Sequence, residues 1–374
     1  LEKLPTANTK KEKTYLFEIH FLRAFACLLV VGVHVSATNY FMNGEKYTWF
    51  TYFLNQIGRF GTPIFAVISG FLLFYQLRMR NNFDLGYFFK SRMAKVIIPF
   101  FIWSLVYRFL LYYYDHQAFG NFWPEAEKVI TGNSFYHLYF VLIVAQFYLI
   151  FPLLQKVLRT QSLVLIFTVI SFIISYNLYG FHPDIKGGLG AFLASKSFMP
   201  IWIAYFAFGA FLAYFWEGIV KYATSRPWRM LLLALIISAG AVVEYTMHGY
   251  VSNRRLTNLA NIPLLSIAII GTFPLLSKWN FIKQPMVLIG KYSMGIYLVH
   301  PLILYLMARH LPEPYWDTRA ILVMFAAVMV IAMIFIRIIQ FIPFSTFIIP
   351  VPKVKKMKRS GVKKQAPEPI KQSA

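Results

Sequence analysis

Acidic residues and cysteine are what this chain has least of. Only 14 of its 374 residues are Asp or Glu, against 37 Lys and Arg, and charged residues of both signs make up 14%. Soluble domains carry about 25%, so a water-soluble globular enzyme of this length is excluded. The one cysteine, Cys27, lies within an apolar run, which excludes a disulfide framework and a cysteine-based metal site; no metal is expected. A nucleotide-binding glycine loop is missing too, because KGGLG at 186–190 follows no strand and reads as a flexible turn. No internal repeat is visible, which leaves an inverted-repeat transporter without support. No signal-peptide cleavage pattern follows the first apolar run. A net charge of +23 suits nucleic acid only on a soluble face. Beside long apolar runs it reads as membrane topology instead, with no nucleic-acid partner.

What is present in excess is hydrophobicity: 58% apolar and 19% aromatic residues, with a mean hydropathy of +0.57. A helix crosses a hydrocarbon core of ~30 Å with roughly 20 mostly apolar residues. That ruler predicts an all-α polytopic bundle of about ten spans, near 19–40, 53–77, 94–114, 135–155, 162–181, 198–217, 229–247, 258–277, 292–309 and 318–341. Basic residues cluster before the first span (Lys3, Lys10, Lys11, Lys13), before the third (Arg78, Arg80, Lys90, Arg92, Lys95) and after the last (Lys353 to Lys371). An even number of spans with both termini in the cytoplasm puts most of this charge inside. The domain expectation is therefore a basic cytoplasmic N-tail over 1–16, a transmembrane domain over 17–349, and a basic, disordered C-tail over 350–374 that suits an anionic inner leaflet.

Ionisable side chains inside a bilayer are costly, so each is a functional hypothesis. Arg23 and His34 in the first span are eleven residues apart. At about 100° per residue they share one helix face, separated by a rise of about 16 Å. The matched face points to a shared polar cavity. The ordinary readings are a snorkelling Arg and a hydrogen-bonded packing His. Arg59 stands near the outer end of the second span between Gly58 and Gly61; an outer Arg runs against the positive-inside bias, whereas the glycines and Ser69-Gly70 have tight packing as their ordinary role. Arg92 and Lys95, where the third span begins, are either topological anchors or a phosphate site of forked donor and point charge. In the late span, Ser293, Tyr297 and His300 fall on one face, either as an interhelical strut or as a relay for an acyl group.

Together these segments resemble the membrane-bound acyltransferase 3 family. The Arg23-to-His34 spacing is similar to the family's first-span signature, PIFAVISGF at 63–71 to its second-span segment, and Arg92 with Lys95 to its paired basic motif. HLYFVLIVAQFYLIFPLL at 137–154 resembles its His-Leu-Trp-Phe-Leu segment, YFAFGAFL at 205–212 its Tyr-Phe-x-x-Gly span, and SMGIYLVHP at 293–301 its late Ser-x-Gly-Ile-Tyr-Leu-x-His. Two departures stand out: Lys95 where a second Arg is common, and Tyr139 where Trp is usual. The layout is similar to the stand-alone intercellular-adhesin and enterobacterial-antigen acyltransferases, with no esterase-like domain after the last span.

The resemblance implies an integral O-acyltransferase of the bacterial cytoplasmic membrane. Its donor would be cytoplasmic acyl-CoA, most simply acetyl-CoA, with no bound cofactor. Its acceptor would be a hydroxyl of a cell-envelope glycan or lipid-linked saccharide. In that chemistry His34 is the general base and Arg23, on the same helix face, the second catalytic candidate, while Arg23, Arg92 and Lys95 at the inner side bind the donor's phosphates. Arg59, with Ser69, is the candidate for stabilising charge near the acceptor. Two rivals remain at this point. One is an exporter or flippase of a polysaccharide or lipid-linked sugar, with Arg23 and His34 lining a path. The other is the second large membrane O-acyltransferase superfamily, which explains His300 in YLVHPLIL but leaves the first-span spacing unexplained.

Overall fold

A computed structural model describes residues 16–79, 83–181, 183–185 and 187–352. The N-tail and most of the C-tail expected above, with Lys186 of the KGGLG turn, lie outside the described residues. Helices run in the order α1 Phe17–Met42, α2 Trp49–Gly58, α3 Gly61–Met79, α4 Leu85–Arg92, α5 Ile98–Asp115, α6 Phe122–Ile130, α7 Tyr139–Val157 and α8 Gln161–Asn177. They continue as α9 Gly188–Ala194, α10 Ile203–Tyr214, α11 Trp216–Thr224, α12 Pro227–His248, α13 Asn258–Leu276, α14 Asn280–His310, α15 Ile321–Ile339 and α16 Ser345–Ile348. No strand occurs among the described residues. Nine helical stretches are long and apolar enough to cross a membrane among the described residues, and α8 is a shorter apolar helix. All ten coincide with the spans expected from hydropathy.

Three spans are more elaborate than an apolar run reveals. The second is broken between α2 and α3, where Gly58, Arg59, Phe60 and Gly61 turn the chain. The third enters through α4 and a five-residue π-helical turn, Met93–Ile97, that carries Lys95; π turns inside helices frequently mark functional sites. The sixth is assembled from α9, a 3₁₀ turn Met199–Trp202 and α10.

In lipid, helices gain little from hiding apolar surface, so close backbone approach and polar links hold a bundle together. Gly70 on α3 and Gly209 on α10 show this. A Cβ on Gly70 would lie 2.2 Å from the Phe206 carbonyl oxygen, and one on Gly209 2.2 Å from that of Val67. Central helix α1 packs on α2, α3, α13, α14 and α15. The most apolar 18-residue stretch of Gly188–Tyr214 is 83% buried and that of Pro227–His248 only 22%, which separates core from rim. Large apolar side chains on the rim, such as Leu105, Phe109 and Val323, stay exposed, as a lipid solvent permits.

Ion pairs test the alternation of the spans. Arg78 pairs with Glu217 at 2.6 Å, Arg108 with Glu125 at 2.7 Å and Arg255 with Glu244 at 3.1 Å, and Arg309 pairs with Asp115. Every pair joins segments that ten alternating spans put at the same end of the bundle. Below, "inner" denotes the end where α1 begins and "outer" the end where it finishes.

Candidate functional site

At the outer end lies a cavity of about 580 Å³. His34 reaches its wall from α1, and Arg59 reaches it from the break between α2 and α3. Glycine makes that placement possible. A Cβ on Gly58 would meet the Leu29 carbonyl oxygen at 2.7 Å, and one on Gly61 that of Ala26 at 2.7 Å. The GRFG turn therefore lies directly on the α1 backbone and puts Arg59 in the same cavity as His34. Asn55 Oδ1 accepts from Arg59 Nη2 at 2.9 Å, and the guanidinium carbon stands 4.1 Å from the Tyr250 ring centroid. Tyr40, Tyr47, Tyr52, Tyr136 and Tyr139 add further walls. Arg59 and Lys196 are the charged lining residues, and no Asp or Glu lines the cavity among the described residues.

Around His34 the imidazoles gather. Its ring centroid is 4.8 Å from that of Tyr136 and 5.3 Å from that of His300. His300 is fully buried, with Nδ1 at 2.8 Å from the Ile296 carbonyl oxygen. A carbonyl only accepts, so this bond puts the proton on Nδ1 and leaves Nε2 of the neutral ring as an acceptor. Nε2 is buried without a hydrogen-bond partner among the described residues. A third imidazole, His137, is 1% exposed, and its ring lies 5.9 Å from that of His300. Both of its ring nitrogens are buried without hydrogen-bond partners among the described residues. His137 opens the HLYF segment, whose motif match carries the residue without giving it a role. Tyr139, where the family pattern has Trp, accepts a hydrogen bond from Asn253 Nδ2 at 2.9 Å.

Toward the inner end lies a second, mostly apolar cavity of about 220 Å³, lined by Arg23, Ser69, Gln76, Arg92, Lys95 and Ser293 among others. Arg23 donates to Ser293 Oγ from Nε at 3.2 Å and from Nη2 at 3.0 Å, so α1 and α14 are tied there. Arg92 stands over the rings of Tyr148 at 4.9 Å and Phe88 at 5.1 Å. Arg92 and Lys95 also line a third, more polar cavity of about 270 Å³ with Asp84, Tyr87 and Ser91. The two cations thus stand where a polar mouth meets an apolar pocket.

Sequence reasoning and geometry part at two points. Arg23 and His34 share a helix face but open into different cavities, because the rise between them spans about half the hydrocarbon thickness and α14 packs across α1. Ser69, grouped with Arg59 from the sequence, lies in the inner cavity instead. Its hydroxyl donates to the Phe65 carbonyl at 2.8 Å. Ten residues of helix and turn, about 15 Å of rise, separate the two. Tyr297 lines both cavities and donates to the His137 carbonyl oxygen.

Comparison with known proteins matches a family model described as an acyltransferase domain over residues 16–338. A Bacillus subtilis protein named as a membrane-bound acyltransferase, YfiQ, is 26% identical over 322 residues, covering 79% of this chain and 84% of that protein. A Staphylococcus aureus protein named as a poly-β-1,6-N-acetyl-D-glucosamine export protein is 24% identical over 311 residues, covering 78% and 83%. Its Staphylococcus epidermidis counterpart is 24% identical over 311 residues, covering 79% and 82%. No solved structure matches significantly.

Proposed function

We propose a function that proceeds from one premise: the chain belongs to the acyltransferase 3 family. It is accordingly a multi-pass enzyme of the bacterial cell membrane that transfers acyl groups other than amino-acyl groups. Our reading is that it moves an acyl group, acetyl in the simplest case, from acyl-CoA to a hydroxyl of a cell-envelope saccharide. The basic tails and the Lys/Arg bias support a cytoplasmic inner end, which is where acyl-CoA is found.

The observation that carries this reading is the pair of chambers. Arg92 and Lys95 offer a charged fork and a point charge for the phosphates of CoA. The apolar inner cavity beyond them suits a pantetheine arm. The outer cavity suits a sugar: tyrosine rings present apolar faces with polar tips, and Asn55 and Asn253 supply amides. With Arg59 and Lys196 and no lining carboxylate among the described residues, that cavity favours a neutral or anionic acceptor over an amine-bearing one.

In this mechanism His34 takes the proton of the acceptor hydroxyl as its oxygen attacks the thioester carbonyl. Arg59 stabilises the tetrahedral oxyanion. Collapse breaks the C–S bond, and the CoA thiolate leaves as the thiol after taking the proton from the imidazolium. The His300 ring packs beside that of His34, with centroids 5.3 Å apart. Arg23, bonded to Ser293 in the inner chamber, acts on the donor rather than on the acceptor.

The export reading, with Arg23 and His34 lining a path, agrees with the name of the staphylococcal relatives. A glycan strand needs a continuous path, however, and the two chambers meet at a buried aromatic side chain. The test is proteoliposomes carrying the purified chain, labelled acetyl-CoA and envelope glycan, beside His34→Ala. We expect label on the glycan, lowered in His34→Ala by at least about 100-fold, the lower range for loss of a general base. Glycan transport without label transfer, or full activity in His34→Ala, refutes the mechanism.

A further inference from the structure

We propose that Tyr297 is the partition between the donor and acceptor chambers, and that it sets how much acyl-CoA is transferred rather than hydrolysed. It is the lining residue that the two cavities share among the described residues, and it is 5% exposed. Phe65 and Phe140, which line the inner cavity, flank it with ring centroids at 6.3 and 6.1 Å. The ring of His137 stands 5.3 Å away on the outer side. A wall of three aromatic rings therefore separates Arg23, Arg92 and Lys95 from His34 and Arg59.

The ring itself, packed beside Phe65 and Phe140, is the barrier; its phenol donates to the carbonyl of His137, just before α7. That carbonyl's other contact is a long 3.4 Å bond from the Phe140 amide, so the phenol is its principal partner. Reacting atoms must approach to about 3–3.5 Å, which a thioester in the inner chamber and a hydroxyl beside His34 cannot do while the ring stands between them. The ring must swing off the His137 carbonyl to admit the thioester. When it stands closed, the thioester is kept from water reaching the outer chamber. Without the partition, water replaces the acceptor: its oxygen attacks the thioester carbonyl, the C–S bond breaks, and free carboxylic acid and CoA thiol result.

What the chambers hold rests on the function proposed above; the partition itself does not, and its first test uses no acyl chemistry. In a Cys27→Ala background, Thr62→Cys reports the outer chamber and Ser69→Cys the inner one. A charged, membrane-impermeant methanethiosulfonate is applied from the side on which Thr62→Cys is labelled. We expect Ser69→Cys to resist labelling from that side with Tyr297 intact or as Tyr297→Phe, which keeps the ring. Adding Tyr297→Ala should speed its labelling roughly tenfold or more, since the water-excluding barrier is gone. Retained labelling of Thr62→Cys in the Tyr297→Ala chain reports that it is folded. Equal labelling of Ser69→Cys with Tyr297 present, or no gain in a folded Tyr297→Ala chain, overturns the partition.

The second readout is the ratio of acetyl transfer to acetyl-CoA hydrolysis. Tyr297→Ala should lower it roughly tenfold or more, while Tyr297→Phe stays near wild type. An unchanged ratio in Tyr297→Ala overturns the role in coupling. A wild-type chain that shows no transfer but the expected labelling pattern overturns the acyltransferase mechanism and leaves the partition standing.

Discussion

The donor binding proposed for Arg92 and Lys95 allows a worked prediction. Both side chains line the junction of the polar mouth and the apolar inner chamber. A charge-assisted hydrogen bond contributes about 1.5–3 kcal/mol when its partner is ionised. At 1.4 kcal/mol per decade, losing one phosphate contact weakens binding by roughly 10- to 150-fold. Arg92→Gln should fall in that range for acetyl-CoA, and Lys95→Gln toward its lower end, since a lone ammonium makes no forked contact. Arg92→Lys separates charge from shape: the cation stays, but the fork and the stacking on Tyr148 and Phe88 are lost. Exposed cation–π contacts contribute about 0.5–1 kcal/mol, so Arg92→Lys should weaken binding by only about 2- to 5-fold. Equilibrium binding of labelled acetyl-CoA to the chain in nanodiscs, at two ionic strengths, measures all three. Wild-type affinity should fall with salt more steeply than that of either Gln variant, because screening acts on the removed charge. Unchanged affinity in both Gln variants would refute the donor site, and equal losses for Arg92→Lys and Arg92→Gln would refute the role of the charge.

Other expectations concern the scaffold. Gly209→Ala forces a Cβ to within 2.2 Å of the Val67 carbonyl oxygen, so overpacking should cost about 1–3 kcal/mol and lower the thermal midpoint in detergent. In the Arg108–Glu125 pair the side-chain exposures are 4% and 16%. Glu125→Gln strands a buried cation and should cost about 3 kcal/mol, whereas Arg108→Gln leaves Glu125 with its Lys128 bond at 2.8 Å and should cost less; the reverse order of thermal midpoints would contradict this. The Lys128 bond, helped by the Gly120 amide and Arg108, holds the Glu125 carboxyl below the usual carboxylate range. Its stabilisation is thus complete above the unfolded carboxylate value of about 4.3 and is lost as pH falls through the lower folded value. Thermal melts across that acid window should lose this component in Glu125→Gln.

Which parts of the molecule were legible beforehand follows from the range of the forces involved. Each span is a local property, because about 20 apolar residues cross the core wherever they stand in the chain; hence the nine membrane-length helices were readable, as was the shorter apolar α8. Arg23, His34 and the Arg92/Lys95 pair were readable because an ionisable group in an apolar run is conspicuous by itself. His137 falls within the expected fourth span and its family segment but takes no role from either, because its burial in the turn before α7 comes from the packing of α5 and α14 around it. The π turn under Lys95 and the break around Arg59 also escape hydropathy, which is blind to backbone winding.

The sequence by itself therefore determined the class of the protein, its apolar helices and the side chains that carry its charge, because those depend on composition and on a helical period. Only the tertiary structure decided that Arg23 and His34, one face of one helix, open into separate chambers. That division depends on α14 crossing α1 and on where Tyr297, some 260 residues later in the chain, lays its ring. No periodicity within either helix encodes it.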